Sequence, residues 1–260
     1  MKSVNGKMKR DEPKYVLFKK IKIDNLNFKE VYAKIKNNIK TKGYVCLMDV
    51  GVLIKATKDS ELRQAVNESL ISIADGMPLA WYGILLGCKQ IERIAGAELM
   101  RRLMEDDNGL SHFLLGDTEQ TISQVIQKAR AANNNMRIEG YSPPFKEEFT
   151  QKETTTLFDK IAKANPDIIW VSFGGGKQDK WMRQNLHRLD RGVMIGVGAA
   201  FRFYIGQLKI PPQIIQSLGL QWFYRMLASP KNWIKRAAPN RLEFIVNFPI
   251  EVIKARLFGT

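Results

Sequence analysis

The sequence predicts an α/β fold: a Rossmann-like, mostly parallel sheet with helices on both faces, followed by a basic helical C-terminal appendage. Three observations predict it. Short apolar runs alternate with longer amphipathic ones through HFLLG (112–116), TEQTISQVIQKARAA (118–132), MRIEGYS (136–142), 146–164, DIIWVSFG (167–174), KQDKWMRQNL (177–186) and VMIGVGAAF (193–201). Strands that alternate with helices are joined by crossovers and so lie parallel. Two of the apolar runs lead into glycine-rich turns, FGGGKQD and GVGAAF, as strands do at the ligand end of such sheets. Near residue 208 the alternation stops, and proline turns and basic residues mixed with bulky apolar ones take over.

Taken in order, residues 1–14 read as a flexible basic leader, and 15–207 as the α/β domain. A short apolar stretch (Tyr15 to Phe18) precedes a helix over 28–40. YVCLMDV (44–50) is short and apolar, which fits a buried strand. Residues 58–71 have helical period, with Asp59 or Ser60 as cap. ADGMP is a turn with Pro78 near a helix start, and MPLAWYGILLG continues as an apolar helix that stops at Gly87. In the appendage, 208–260, the Pro211-Pro212 pair and Pro230 bracket an amphipathic helix carrying Leu218, Leu220, Trp222, Phe223 and Tyr224. Beyond it, Lys231, Lys235, Arg236, Arg241, Lys254 and Arg256 face only Glu243 and Glu251. Such a segment suits a membrane interface, or a helix packed on the domain with a solvated basic face.

The chain has 260 residues, 45% of them hydrophobic, and a net charge of +15. That excess implies an acidic partner, which is nucleic acid, anionic membrane or phosphorylated substrate, unless it reflects a lysine-rich proteome. The charge is spread over both ends and no nucleic-acid module is present, which argues against nucleic acid. Cys46 and Cys88 lie in or beside apolar runs and read as buried thiols of a reducing compartment. His112 and His187 stand alone, without zinc spacing. The first residues lack the apolar core of a signal peptide, and no run reaches the roughly 18 apolar residues of a membrane span. A cytoplasmic protein is expected, with attachment to a membrane face left open.

The glycine turns point to phosphate, because bare amides at a helix start favour an anion. GGGKQD is not a P-loop, since Gln178 follows Lys177 where serine or threonine is required. GVGAAF is a partial GxGxxG with Phe201 in the third glycine's place and no acidic residue near 217 to hold a ribose. Asp106-Asp107 reads as a helix-ending turn rather than a metal site.

Five stretches in this order resemble the WecG/TagA/CpsF glycosyltransferase family over about residues 44–236: 74–100 (ADGMPLAWYGILLGCKQIERIAGAELM), FLLGD (113–117), YSPPF (141–145), DIIWVSFGGGKQDKWM (167–182) and 195–227. The resemblance implies an inverting, metal-independent transferase that needs no cofactor. It would move a hexose, N-acetylhexosamine or hexuronic sugar from a UDP-sugar to a polyprenyl-diphosphate-linked saccharide in bacterial surface-polymer assembly. Asp75 matches the family's proposed catalytic base, although a turn aspartate bonded to its own backbone is the simpler reading of the residues. Arg93 and Gly96 match an R-x-x-G stretch. The arginine would neutralise the leaving diphosphate or hold the sugar, or else form a surface ion pair with Glu92 or Glu98.

By the same resemblance the Gly174, Gly175, Gly176, Lys177, Gln178 loop and the Gly196, Gly198, Ala200 turn would contact the donor. The simpler reading of Gln178 is a surface residue at a helix start. Gly176 stands where the family has proline, and Asp179 where it has glutamate. Three departures concern donor contacts. Leu47 and Asp49 occupy a Thr-x-Asn, Arg202 replaces an aspartate near the nucleotide, and Gln221 replaces a glutamate. Asp49 is then a second active-site carboxylate or a strand-end acceptor. Arg225, Lys231, Lys235 and Arg236 would hold the acceptor's lipid diphosphate at an anionic membrane surface, with Trp222, Phe223 and Trp233 entering the interface. A non-catalytic UDP-sugar-binding relative and a nucleic-acid-binding protein are the competing readings. Homo-oligomerisation is left open.

Overall fold

A computed structural model describes residues 12–105, 109–146, 148–212, 215 and 238–258. Its centre is a six-stranded parallel sheet. The strands are β3 (Lys42–Met48), β4 (Ile71–Ala74), β5 (Ser111–Gly116), β6 (Arg137–Tyr141), β7 (Ile168–Ser172) and β8 (Gly192–Gly196), and their order across the sheet is β4-β3-β8-β7-β5-β6. An antiparallel hairpin, β1 (Tyr15–Phe18) and β2 (Ile21–Asp24), precedes them. The four central strands are nearly continuous apolar runs because both of their faces are covered.

The period of two along each strand sends side chains into two cores. From β3, Tyr44, Cys46 and Met48 enter one, while Val45 and Leu47 enter the other. The first core is closed by α2 (Val50–Lys58), α3 (Ser60–Asn67), α4 (Met77–Leu85), α7 (Gln151–Ala164), α8 (Lys177–Asn185) and the hairpin. The second is closed by α1 (Phe28–Asn38), α5 (Gly96–Glu105), α6 (Glu119–Ala132) and α9 (Ala200–Tyr204). The predicted fold, a parallel sheet with helices on both faces, is the one observed.

Local chemistry sets the helix starts. Asn27 with Glu30, and Thr150 with Glu153, form reciprocal capping boxes. Thr118 caps α6 and Asp59 caps α3. The Thr150 box explains why α7 begins at Gln151 and not at Lys146. The predicted helix over 58–71 ends at Asn67, and the apolar Ile71–Ala74 that follows is strand β4. The predicted strand 44–50 ends at Met48, and Val50–Lys58, of which 51–57 carry no predicted element, is helix α2, because the Asp49 side chain accepts the Val52 N–H at 2.9 Å and starts it. The predicted strand 193–201 stops at Gly196, and Ala200–Tyr204 turns into α9.

A last helix, α10 (Ala238–Phe258), packs on α2 and α4. Phe244 is buried against Phe18 with ring centroids 5.4 Å apart, and Phe248 meets Tyr82 at 5.7 Å. The other side of α10 exposes Leu242, Ile245, Val246, Ile253 and Leu257. No helix among the described residues is long and apolar enough to cross a membrane.

Topology fixes where a ligand can enter. β3 exits into α2 on one face, its neighbour β8 exits into α9 on the other, and β7 exits into α8 on the first face again. Loops that diverge between adjacent strands open a crevice beyond the strands' carboxyl ends.

Candidate active site

Four adjacent strand ends lie side by side at this edge of the sheet. β3 ends at Asp49, β4 at Asp75, β8 at Val197 and Gly198, and β7 at Gly174 to Gly176. Met48 and Ala74 are in register, and the Asp75 N–H donates to Met48 O at 2.9 Å, so the two aspartates sit at adjacent strand ends. Asp75 is half-buried just before the N-cap of α4, at Gly76. Asp49 is the N-cap of α2, which realises the strand-end acceptor reading. Arg93 lies on the segment that covers the β4 edge, where the Ile94 N–H donates to Ala74 O at 2.9 Å. Of the ion pairs weighed for it, Glu98 is taken by Arg101 and Arg102, and Glu92 accepts the Phe28 N–H. Gly96 brings that segment against β8, because a Cβ there would stand 3.3 Å from Val197 O.

The β7 turn exposes Gly174 and Gly175, and Lys177 opens α8. Gly176 has φ of +90°, open to glycine and strained for other residues, so the proline of the family pattern would not fit this backbone. The Lys177 Nζ lies 5.9 and 5.8 Å from the ring centres of Phe145 and Phe149, which places the SPPF loop beside the turn.

Gln178 corrects one sequence reading. It is 2% exposed, not a surface residue, and its Oε1 accepts the Gly198 N–H at 3.1 Å. A Cβ on Gly196 would stand 2.8 Å from Gln178 Nε2, so glycine is required for this close approach. Gln178 thus ties the two glycine turns together from below. Ser172 Oγ adds a second tie by donating to Gly198 O at 2.6 Å.

Two carboxylates in the site were not assigned a role from sequence. Asp179 is fully buried, and its Oδ2 accepts the Gly176 N–H at 2.8 Å. Burial pushes its carboxyl up to about 6, with the nearby charge of Asp49 adding to the rise and the Gly176 N–H opposing it. Asp117, at the end of β5, pairs with Arg202 on α9. Burial alone would raise the Asp117 carboxyl, but hydrogen bonds from Arg202 and Thr118 outweigh it and hold it below the usual carboxylate range. Both residues stood in quoted motifs; Asp117 takes its meaning from Arg202, distant in sequence, and Asp179 from the Gly176 N–H three residues before it and from Cys46 and Asp49 nearby.

Leu47 is buried in the second core, 3.4 Å from where a Gly96 Cβ would be. Arg225, Lys231, Lys235, Arg236, Trp222, Phe223, Trp233 and Gln221, and the Asp106-Asp107 turn, lie outside the described residues. His112 is buried and accepts the Trp170 indole N–H at 3.3 Å, a core role. Both cysteines are buried free thiols, as expected. Among the described residues no group of three or more His, Cys, Asp or Glu side chains forms a metal-ligand cluster.

Residues 16–258 match the model of the glycosyl transferase WecG/TagA/CpsF family. The chain belongs to that family. It is similar to the N-acetylglucosaminyldiphosphoundecaprenol N-acetyl-beta-D-mannosaminyltransferase of Bacillus subtilis (strain 168), with 27% identity over 205 residues, 78% of this chain and 76% of the relative. Membership makes the chain a glycosyltransferase at the level of the family, and the match takes in α10 as well as the sheet.

Proposed function

We propose that this WecG/TagA/CpsF member is an inverting glycosyltransferase that carries a sugar from a UDP-sugar to a polyprenyl-diphosphate-linked saccharide during bacterial surface-polysaccharide assembly. One observation supports this reading most: Asp75 and both glycine turns converge on the same end of one parallel sheet. Asp75 takes the proton of the acceptor hydroxyl as its oxygen attacks the anomeric carbon. The bond from that carbon to the diphosphate breaks, and UDP leaves from the opposite face. Exposed amides at Gly174 and Gly175, the start of α8, Lys177 and Arg93 meet the charge that builds on the leaving diphosphate. Gly196, Gly198 and Ala200 form the other wall, held by Gln178. Asp49 and Arg202 flank the donor. No metal or other cofactor takes part in this scheme.

The relative's name makes UDP-N-acetylmannosamine the first donor to try and a diphosphate-lipid-linked N-acetylglucosamine the first acceptor. The protein would work on the inner face of the cell membrane. The outward side of α10 and the cations Arg225, Lys231, Lys235 and Arg236 would meet the anionic lipid. The test is UDP release from a panel of UDP-sugars, with and without acceptor, in detergent and EDTA. Acceptor-dependent release from one donor supports the reading and names its sugar. UDP binding without release from any donor would leave a binding protein instead.

A further inference from the structure

Asp179 stands directly behind the phosphate-facing turn and takes no part in the transfer outlined above. One of its oxygens, Oδ2, accepts the Gly176 N–H at 2.8 Å. The other, Oδ1, is buried with no N–H or O–H donor, and the weakly donating Cys46 thiol is the polar group that faces the carboxylate. Lys55 of α2 runs against the turn, its Cδ 3.8 Å from where a Gly176 Cβ would stand; the acidic groups that bear on this carboxylate are the Cys46 thiol and Tyr44 hydroxyl of β3 and the Asp49 carboxylate at the start of α2. None of these three supplies positive charge. On its own helix, Lys180 pairs with Asp59, Arg183 with Glu68, and Lys177 reaches toward Phe145 and Phe149.

The turn therefore carries opposed electrostatics. Its exposed amides favour an anion. The carboxylate one hydrogen bond behind them opposes one. Like charges brought close in a poorly solvated site repel, and the repulsion raises the carboxylate's affinity for a proton. A proton on Asp179 removes the conflict without undoing the turn, because a neutral carboxylic acid keeps an oxygen that accepts the Gly176 N–H. Oδ1, which accepts no N–H or O–H, is the oxygen open to that proton.

We infer that Asp179 is a proton-coupled positioning residue of the donor site, ionised when the turn is empty and protonated when a diphosphate occupies it. The inference rests on the reading that these turns hold a nucleoside-diphosphate sugar. The proton enters from solvent as the anion binds and returns when the anion leaves.

The test is binding against pH, using the tightest binder among UDP-N-acetylmannosamine, UDP-N-acetylglucosamine, UDP-glucose and UDP-galactose. Their diphosphates are esterified at both ends and keep a constant charge over the working range. Wild-type affinity is expected to fall above about pH 6, by up to about tenfold per pH unit. Calorimetry in buffers of different ionisation enthalpy should show proton uptake. Asp179→Asn keeps an acceptor for the Gly176 N–H and lacks the charge. It should bind with a flatter pH profile and, near pH 8, more tightly than wild type. Asp179→Glu, which keeps the charge, should retain the slope.

A residue that merely shapes the turn would give the reverse, with Asp179→Asn binding more weakly at every pH, and that result overturns the inference. So does equal proton uptake by wild type and Asp179→Asn. In both cases the donor site itself stands. If wild type binds none of the four sugars nor UDP, the inference and the donor reading fall together. Should Asp179→Asn not fold, wild-type proton uptake decides alone, its presence supporting the coupling and its absence overturning it.

Discussion

The guanidinium of Arg202 grips the carboxylate of Asp117 through two hydrogen bonds, Nε to Oδ2 at 2.9 Å and Nη2 to Oδ1 at 3.1 Å. The pair joins α9 to the β5 exit across the end of β7. The Asp117 side chain is 4% exposed beneath a half-exposed arginine, so Arg202→Ala leaves a buried carboxylate short of donors. It should cost about 1–2 kcal/mol in urea unfolding. The folded carboxyl lies below its unfolded value. Its stabilisation is therefore complete at neutral pH and lost as pH falls below about 4, and Arg202→Ala should flatten that acid limb.

Asp75→Asn should lower turnover by roughly 100-fold or more while leaving donor affinity and the melting temperature nearly unchanged. Near-wild-type turnover of a folded variant would remove Asp75 from the base role.

Gln178→Ala strands the half-buried Gly198 N–H and opens space under both glycine turns. A loss of about 1–3 kcal/mol in stability is expected. Because the turns are displaced while Asp75 stays in place, KM for the donor should rise more than kcat falls. Steady-state kinetics at varied donor concentration make the comparison.

Asp179 should give the protein an unusual acid-side gain. Its folded carboxyl is raised from 3.8 to about 6 by burial, so the folded state binds the proton more tightly than the unfolded chain. Stability from this group is fully present below about pH 4 and is lost as pH rises toward 6, by about 3 kcal/mol. Asp117 and Asp167 act in the opposite direction. The difference between wild type and Asp179→Asn in denaturant midpoint against pH isolates the effect.

The outward side of α10 should set membrane retention. Ile245→Ser, Ile253→Ser and Leu257→Ser together remove exposed apolar area and should reduce sedimentation with anionic liposomes several-fold, without lowering the melting temperature. High salt should weaken what binding remains. Undiminished sedimentation would assign retention elsewhere.

The sheet was legible because parallel strands buried on both faces are apolar runs, and each helix between them kept its own period. What escaped had mixed or short signals. Ile71–Ala74 is four residues long and follows a helix after a three-residue turn, and α2 begins where an apolar strand ends without a polar break except Asp49. The hairpin at Tyr15–Asp24 turns at Lys19 and Lys20, which adopt positive φ without glycine or asparagine to announce it. In the site, the glycine turns and Asp75 were visible as motifs. The buried roles of Gln178 and Asp179, and the Arg202–Asp117 pair, were not. Gln178 and Asp117 depend on partners far along the chain, Gly198 and Arg202, while Asp179 bonds Gly176 three residues back but owes its burial to packing against other elements, and spacing along the chain carries no record of either.

The Phe244 and Phe248 contacts have a practical bearing on how the C-terminal segment is dissected. Cutting the chain before α10 would uncover Phe18 and Tyr82 as well as remove the outward ridge. A shortened protein would then confuse two losses, a missing anchor and a torn hydrophobic seam, and the new apolar scar could itself cling to lipid or to other copies. Deletion is thus the wrong instrument for separating attachment from folding in this molecule. Substitution along the outer stripe leaves the seam closed.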